Sequence, residues 1–129
     1  DTPPLKKNPI FLYYQDGFQK PAPFRPDVVV NIDDVWEAKV NALDAHTSQF
    51  YEWLPWVDGN LERVPKDAAA RKAWLSDQRT RPHPDAVAKA INERYGDGAA
   101  ARIKRVETFE LCEYGRQPKL DELRSLFPK

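Results

Sequence analysis

The sequence predicts a mixed α/β fold with few strands and three to four helices. Three consecutive β-branched residues, Val28 to Val30, fit the pleated surface of a buried strand. Apolar residues at helical spacing follow from Trp36 to Leu54, and residues 67–79 and 84–96 also have helix-forming composition. Because a strand that is apolar on both faces is typical of a covered sheet, we expect helices to pack around it.

The first 26 residues predict one strand between two irregular segments. Residues 1–9 contain three prolines and are expected to be an irregular lead-in. The apolar and aromatic run Ile10–Tyr14 is bounded by Pro9 and by Asp16-Gly17, which is typical of a buried strand. Residues 19–26 hold three more prolines, each of which disfavours helix at the preceding residue, so we expect an extended connector.

A long helix is predicted from Asp34 to the residue before Pro55. Asp34 and Glu37 form a capping-box pattern at its start, where the helix dipole favours carboxylates. One stripe is expected in the core and consists of Trp36, Val40, Leu43, Thr47, Phe50 and Leu54. The flank of that stripe carries Lys39, His46, Gln49 and Trp53. A polar flank beside an apolar stripe indicates a helix in contact on two sides.

The second half of the chain predicts two further helices, a strand and a short final helix. Asp67 is placed to cap a helix that ends near Arg79, and Pro84 and Gly96 are placed to start and end the next one. Val87, Ile91 and Tyr95 lie on one face of that second helix. Residues 97–99 are expected to be a loop, residues 103–111 a strand and residues 119–127 a helix.

Composition restricts the partners and the compartment. A length of 129 residues suits a single domain or part-domain, and the chain contains no methionine, so we expect a fragment or a processed product. The 20 basic and 20 acidic residues cancel, which argues against nucleic acid as a partner, and no apolar run is long enough to span a membrane. One cysteine, Cys112, excludes an internal disulfide and favours a reducing compartment, so we expect a cytoplasmic location.

The residues offer no self-contained metal site. A catalytic zinc needs three converging protein ligands and an open position. The histidine and cysteine candidates are only His46, His83 and Cys112, without paired spacing, and the carboxylates are scattered. We therefore assign no catalytic and no metal-binding residue, and we expect no metal to be bound by this chain alone.

Polar side chains cluster in the middle of the predicted long helix. His46, Thr47, Ser48 and Gln49 all have side chains that can form hydrogen bonds, and Ser and Thr are indifferent helix formers, so the cluster indicates use in tertiary contacts. Two interpretations remain open, in which these residues line a pocket or tie the helix to a loop or subunit. The nearby Trp53 and Trp56 fit either a sugar-stacking platform or a core or interface position.

A succession of motifs resembles the late segment of one enzyme family. They are Pro26-Asp27-Val28-Val29-Val30-Asn31-Ile32, then Glu37 and Lys39, then Ala42-Leu43-x-Ala45-His46-x-Ser48-Gln49. This order is similar to that of the PIG-L/LmbE-like zinc-dependent N-acetylglucosaminyl deacetylases, in which a strand leads into a helix with a His-x-Ser/Thr-Gln signature. Residues 11–14, 50–55, 107–115 and 126–128 resemble further segments, of which the first lies where the family has a Tyr-rich strand, so the resemblance extends from about Pro9 to Pro128.

The resemblance implies the C-terminal part of a Rossmann-like zinc hydrolase that removes N-acetyl groups from amino-sugar-type substrates. The family's zinc motifs precede the segments matched here, so zinc is expected for the full-length parent, and this chain is not expected to be active alone. His46, Ser48 and Gln49 match the signature and become the residues expected to line the pocket or support those that do.

The expected partners follow from the same resemblance. They are the missing N-terminal half of the protein, an amino-sugar-type small molecule and a second copy of the chain. The alternative function is a non-catalytic interaction or carbohydrate-binding module derived from the deacetylase tail.

His83-Pro84-Asp85 resembles the start of the family's His-Pro-Asp-Asp zinc motif. Ala86 replaces the second Asp, and the motif follows Arg79–Pro82 rather than an apolar strand. We therefore interpret it as the start of a helix with Asp85 in the first turn.

Overall fold

Residues 2–4 and 6–128 are described by a computed structural model, in which the chain divides into two compact units. The first unit comprises residues up to Asn31 and from His83 onward, and the second comprises Ile32–Pro82. The described residues form three strands and six α-helices, which confirms the coarse α/β class. The predicted number of three to four helices was too low. Two of the six helices are single turns of four residues, which are too short to give a periodic pattern in the sequence. The single-domain organisation stays a prediction.

The first unit is built on a three-stranded antiparallel sheet. The strands are β1 (Ile10–Tyr14), β2 (Val28–Asn31) and β3 (Val106–Gly115), in the order β1-β3-β2. Phe109 of β3 lies opposite Tyr14 of β1 and Val28 of β2. These three strands therefore do not form the parallel pairs of a Rossmann-like sheet, and the predicted strand over residues 103–111 begins and ends later than expected.

The prediction that β1 is buried was wrong. Phe11, Tyr13 and Tyr14 are 48%, 43% and 56% exposed, because the core cluster of this unit is built on Val29 of β2 and includes no described side chain of β1. The tyrosine hydroxyls donate to carboxylates of β3, that of Tyr13 to Glu113 over 2.9 Å and that of Tyr14 to Glu107. Polar ends on aromatic rings suit such a half-exposed position.

Helices α4 (Asp85–Tyr95) and α5 (Ala99–Arg102) cover part of the sheet. The core that they form consists of Val29, Val87, Ala90, Ile91 and Ala99. The predicted helix between Pro84 and Gly96 is confirmed, with Gly96 at φ +94° after its last residue. The loop expected over residues 97–99 was wrong at Ala99, where α5 begins.

Helix α6 (Leu120–Ser125) confirms the predicted final helix. Leu123 is fully buried, and the ring of Phe127 stacks on that of Phe109 with 5.5 Å between centroids. Residues 2–4, 6–9 and 19–26 contain no helix or strand, as expected; Asp1 and Leu5, which belong to the predicted lead-in, lie outside the described residues.

Side chains satisfy the outer edge of β2. The hydroxyl of Tyr95 accepts from the backbone N–H of Asn31 over 2.9 Å and donates to the carbonyl oxygen of Val29 over 3.4 Å. The Nε of Arg124 donates to the carbonyl oxygen of Asp27 over 2.9 Å. Backbone groups at a sheet edge need such partners when they are not paired with a strand.

The second unit contains α1 (Trp36–Asp44), α2 (Leu54–Val57) and α3 (Ala68–Arg79), and the long helix predicted there is interrupted. The chain turns at Ala45 and His46 and continues as a π-helix, Ser48–Trp53, that leads into α2. Pro55 does not end the helix: it is the second residue of α2, which directly follows the π-helix.

Two details of the predicted long helix also differ. A 3-10 turn, Asp33–Val35, precedes α1, and no side chain caps α1, so the capping box of Asp34 and Glu37 is not formed. Thr47 is exposed, whereas Tyr51 is only 3% exposed, because the turn and the wider π-helix rotate the later residues.

Helix α3 begins and ends as predicted. The Asp67 carboxylate accepts from the backbone N–H of Ala70 over 2.9 Å, and the helix ends at Arg79. None of the helices in the described ranges is long and apolar enough to cross a membrane.

Candidate functional site

The residues expected to line or support a pocket lie together at the helix interruption. His46 occupies the turn after α1, and Ser48 and Gln49 are the first two residues of the π-helix. The carbonyl oxygen of His46 accepts from the backbone N–H groups of Gln49 over 3.0 Å and Phe50 over 3.1 Å. The three side chains are exposed on one segment, and whether they line a pocket stays a prediction.

Tyr51 anchors the π-helix to the rest of its unit. Its hydroxyl donates to Asp44 Oδ1 over 2.5 Å, and its ring lies 4.5 Å from the guanidinium of Arg71 and 6.4 Å from the ring of Trp74. Burial, followed by the hydrogen bond to Asp44, raises the pKa of Tyr51 to about 12. π-helices are rare in proteins overall, but those that occur are often at functional sites. This anchored segment is therefore the first candidate for a site.

Phe50 connects the same segment to the end of α3. The guanidinium of Arg79 lies 4.9 Å from the Phe50 ring centroid, and the His46 ring meets Phe50 edge-on with 6.5 Å between centroids. His46 and Arg79 therefore contact the same aromatic ring.

A cavity of about 80 Å³ lies beside Phe50. Its apolar wall includes Leu54 and Trp74, and its polar wall includes Asp58, Asn60, Gln78, Arg79 and Arg81. Burial and, to a lesser extent, the positive charge of Arg81 lower the pKa of Arg79, whereas Asp58 acts in the opposite direction. The cavity thus holds two arginines of which one is partly withdrawn from water.

A shallow groove of about 370 Å³ lies between α1 and α3. Trp36 and Val40 of α1 face Ala69 and Ala73 of α3 across it. The indole N–H of Trp36 donates to Ser76 Oγ over 2.9 Å, which fixes the ring at the groove wall. The volume falls in the range of small-molecule sites, roughly 300–1,000 Å³.

Trp53 and Trp56 are exposed, at 53% and 68%. This exposure excludes a position in the core of their unit, so an interface or a stacking platform remains for them. Val57 and Leu61, on neighbouring segments, are also exposed.

The described residues do not fit a zinc ion. No group of three or more His, Cys, Asp or Glu side chains in the described ranges could hold a metal. His83 Nε2 lies 2.8 Å from the carbonyl oxygen of Ile103, Asp85 opens α4, and Cys112 is buried and accepts from the N–H of Tyr114. These contacts support the interpretation of His83-Pro84-Asp85 as a helix start.

Neither the anchoring role of Tyr51 nor the position of Arg79 and Arg81 in a cavity was predicted from the sequence. The only sequence signal for the pair is the basic run Arg79-Thr80-Arg81 at a helix end. Arg79 contacts Phe50, which lies far from it in the chain, and the spacing of residues in a sequence does not predict such a contact.

Comparisons with known proteins identify no relative. The chain matches no protein-family model, and searches of curated proteins and of solved structures give no match.

Proposed function

We propose that this chain is the C-terminal part of a zinc-dependent hydrolase that removes N-acetyl groups from amino-sugar-type substrates. Its parent would be Rossmann-like, with the described antiparallel strands as one portion of a larger sheet. One observation carries the proposal: the interruption after α1 exposes His46, Ser48 and Gln49 together. These residues match the deacetylase signature, and a polar set displayed at a helix interruption is suited to contacts outside its own unit.

The chemistry of these side chains suits contact with a polar substrate. An imidazole, a hydroxyl and a carboxamide both donate and accept hydrogen bonds, as the hydroxyl and amide groups of an amino sugar require. The metal-binding groups of the parent would lie outside the described residues, since these do not fit zinc. We therefore assign His46, Ser48 and Gln49 to orienting the substrate or supporting the pocket wall.

The first test is deacetylation by the chain alone and by the chain joined to the polypeptide encoded upstream. We expect acetate release from an N-acetylglucosamine derivative only from the longer protein, and an upstream strand that ends in His-Pro-Asp-Asp. In that protein, His46→Ala should lower kcat by about tenfold or more at unchanged Tm, since a hydrogen bond to a polar substrate group is lost.

His83→Ala is the matched control, because His83 contacts the carbonyl oxygen of Ile103 and should affect Tm but not the turnover of folded protein. Zinc-dependent activity of the 129 residues alone would contradict the proposal. Lowered Tm with normal turnover in His46→Ala would identify His46 as structural.

A second candidate is a non-catalytic interaction or carbohydrate-binding module. It is favoured by the exposure of Trp53 and Trp56, because exposed indole rings stack on sugars and on partner surfaces. An upstream reading frame without the metal-binding motif would favour this candidate over the hydrolase.

A further inference from the structure

The cavity beside Phe50 has a positive charge that the proposed hydrolase does not use. Arg79 and Arg81 both line it, and neither has a carboxylate within 4.0 Å in the described chain. We propose that this cavity binds the phosphate group of a small soluble molecule, or free phosphate, between the two guanidinium groups.

Packing, rather than an ion pair, holds Arg79 in place. Its guanidinium lies 4.9 Å from the Phe50 ring centroid, a contact that positions the side chain without neutralising its charge. A guanidinium presents its donors in a fixed planar arrangement that matches two oxygens of a phosphate. Arg79 is therefore pre-positioned for an oxyanion.

The two arginines of the cavity outnumber its one carboxylate, Asp58, so the electrostatics favour an anion. Burial lowers the pKa of Arg79, and repulsion from the positive charge of Arg81 lowers it further. Burial is likewise the larger cause of the lowered pKa of Lys39, to which the charge of Arg79 also contributes. Asp58 is the carboxylate that favours charged Arg79. The C-terminus of α3 also stabilises a cation at Arg79, but the effect fades within a turn, and Arg81 lies beyond the helix.

Two carboxamides complete the polar wall. Asn60 Oδ1 is buried and has no hydrogen-bond partner among the described residues, and Gln78 lines the same cavity. Rotation of the Asn60 carboxamide by half a turn would present its NH₂ group, since the two orientations have the same shape. Arginine and amide donors against an apolar wall of Leu54 and Trp74 form a small phosphate site.

The size of the cavity restricts the ligand. A volume of about 80 Å³ accommodates a phosphate group but is far below the volume of sites for drug-sized molecules, roughly 300 Å³ or more. The rest of a phosphate monoester would therefore extend into solvent.

Calorimetric titration with inorganic phosphate at constant ionic strength tests the proposal, with chloride as the balancing salt. We expect saturable binding at one site and shifts of the Arg79 and Arg81 Nε–H signals in NMR spectra. Arg81→Gln should weaken the affinity about tenfold to a hundredfold, as expected for the loss of hydrogen bonds between charged groups. Arg102→Gln, a change at an exposed arginine of α5, is the charge-matched control and should bind as the unmodified chain does.

Glycerol phosphate in a parallel titration distinguishes the two sources of the group. Tighter binding of the ester supports a small phosphorylated molecule, and tighter or equal binding of inorganic phosphate supports the free ion. Absence of saturable binding, or an unchanged affinity in Arg81→Gln, would overturn the proposal. Arg81→Gln carries the decision because Arg81, unlike Arg79, makes no described contact with an aromatic ring, so its replacement preserves the packing.

Discussion

Among the five glycines, Gly115 is the one at which an added Cβ meets the closest neighbours. Its φ of +84° lies in the left-handed region, and a Cβ built there would overlap the carbonyl oxygen of Pro9 and the ring of Phe11. The same Pro9 oxygen accepts from the N–H of Arg116 over 2.9 Å, so the backbone cannot move away without losing that bond. The end of β3 therefore requires glycine.

Gly115→Ala should lower the free energy of unfolding by about 2 kcal/mol or more, since strain and overlap combine. Urea denaturation at pH 7 measures the change. Gly17→Ala is the control: a Cβ at Gly17 meets nothing within 4 Å, so its effect should stay within about 0.5 kcal/mol. Equal effects of the two substitutions would contradict this account.

Among the elements, β2 depends on side chains of other segments for its outer edge. Tyr95→Phe removes the hydroxyl that bonds Asn31 and Val29 and leaves both backbone groups without that partner. We expect a loss of about 1–2 kcal/mol and faster exchange of the Asn31 amide hydrogen.

Tyr114→Phe provides the comparison for this change. Tyr114 is 70% exposed on β3, so loss of its hydroxyl should leave both stability and the exchange rate of Asn31 unchanged. Unchanged exchange at Asn31 in Tyr95→Phe would show that water replaces the hydroxyl without cost.

The elements also show which structural features can be predicted from the sequence. The cap at Asp67 and the helix end at Gly96 were predicted correctly because both depend on neighbouring residues. The interruption at His46 was missed because apolar residues continue at helical spacing on both sides of it. The exposure of β1 was missed because strand order depends on contacts between distant segments.

The same distinction applies to the candidate sites. His46, Ser48 and Gln49 are contiguous, so the sequence indicated them as a set, and the structure places them on one exposed segment. The cavity of Arg79 and Arg81 brings together segments around residues 50, 60 and 80, so its composition could be determined only from the fold.

Across the whole molecule, alkaline stability depends on the tyrosines whose pKa the fold raises, which are Tyr13, Tyr14 and Tyr51. The pKa of Tyr51 is raised from 10.0 to about 12. Between these values the unfolded chain has released the Tyr51 proton, while the folded chain retains it. The folded state therefore loses stability as pH rises through this range.

The unfolding free energy should accordingly fall from pH 10 to pH 12, and the fall should be smaller in Tyr51→Phe, which has no proton to release. Urea titrations at several pH values measure both slopes. Asp44→Asn separates the causes: if burial dominates, most of the fall remains in this variant. Identical slopes for Tyr51→Phe and the unmodified chain would contradict the assignment.

The sheet order β1-β3-β2 has a consequence for the time course of synthesis on the ribosome. The central strand, Val106–Gly115, is translated after both of its neighbours and after all of residues 32–82. The nascent chain must therefore hold β1 and β2 without their common partner until nearly the whole sequence has emerged. Meanwhile, the helices of residues 32–82 can form from local contacts. Val28 and Val29, both buried in the folded protein, remain unprotected during that interval, and such transiently exposed apolar residues are what chaperones bind.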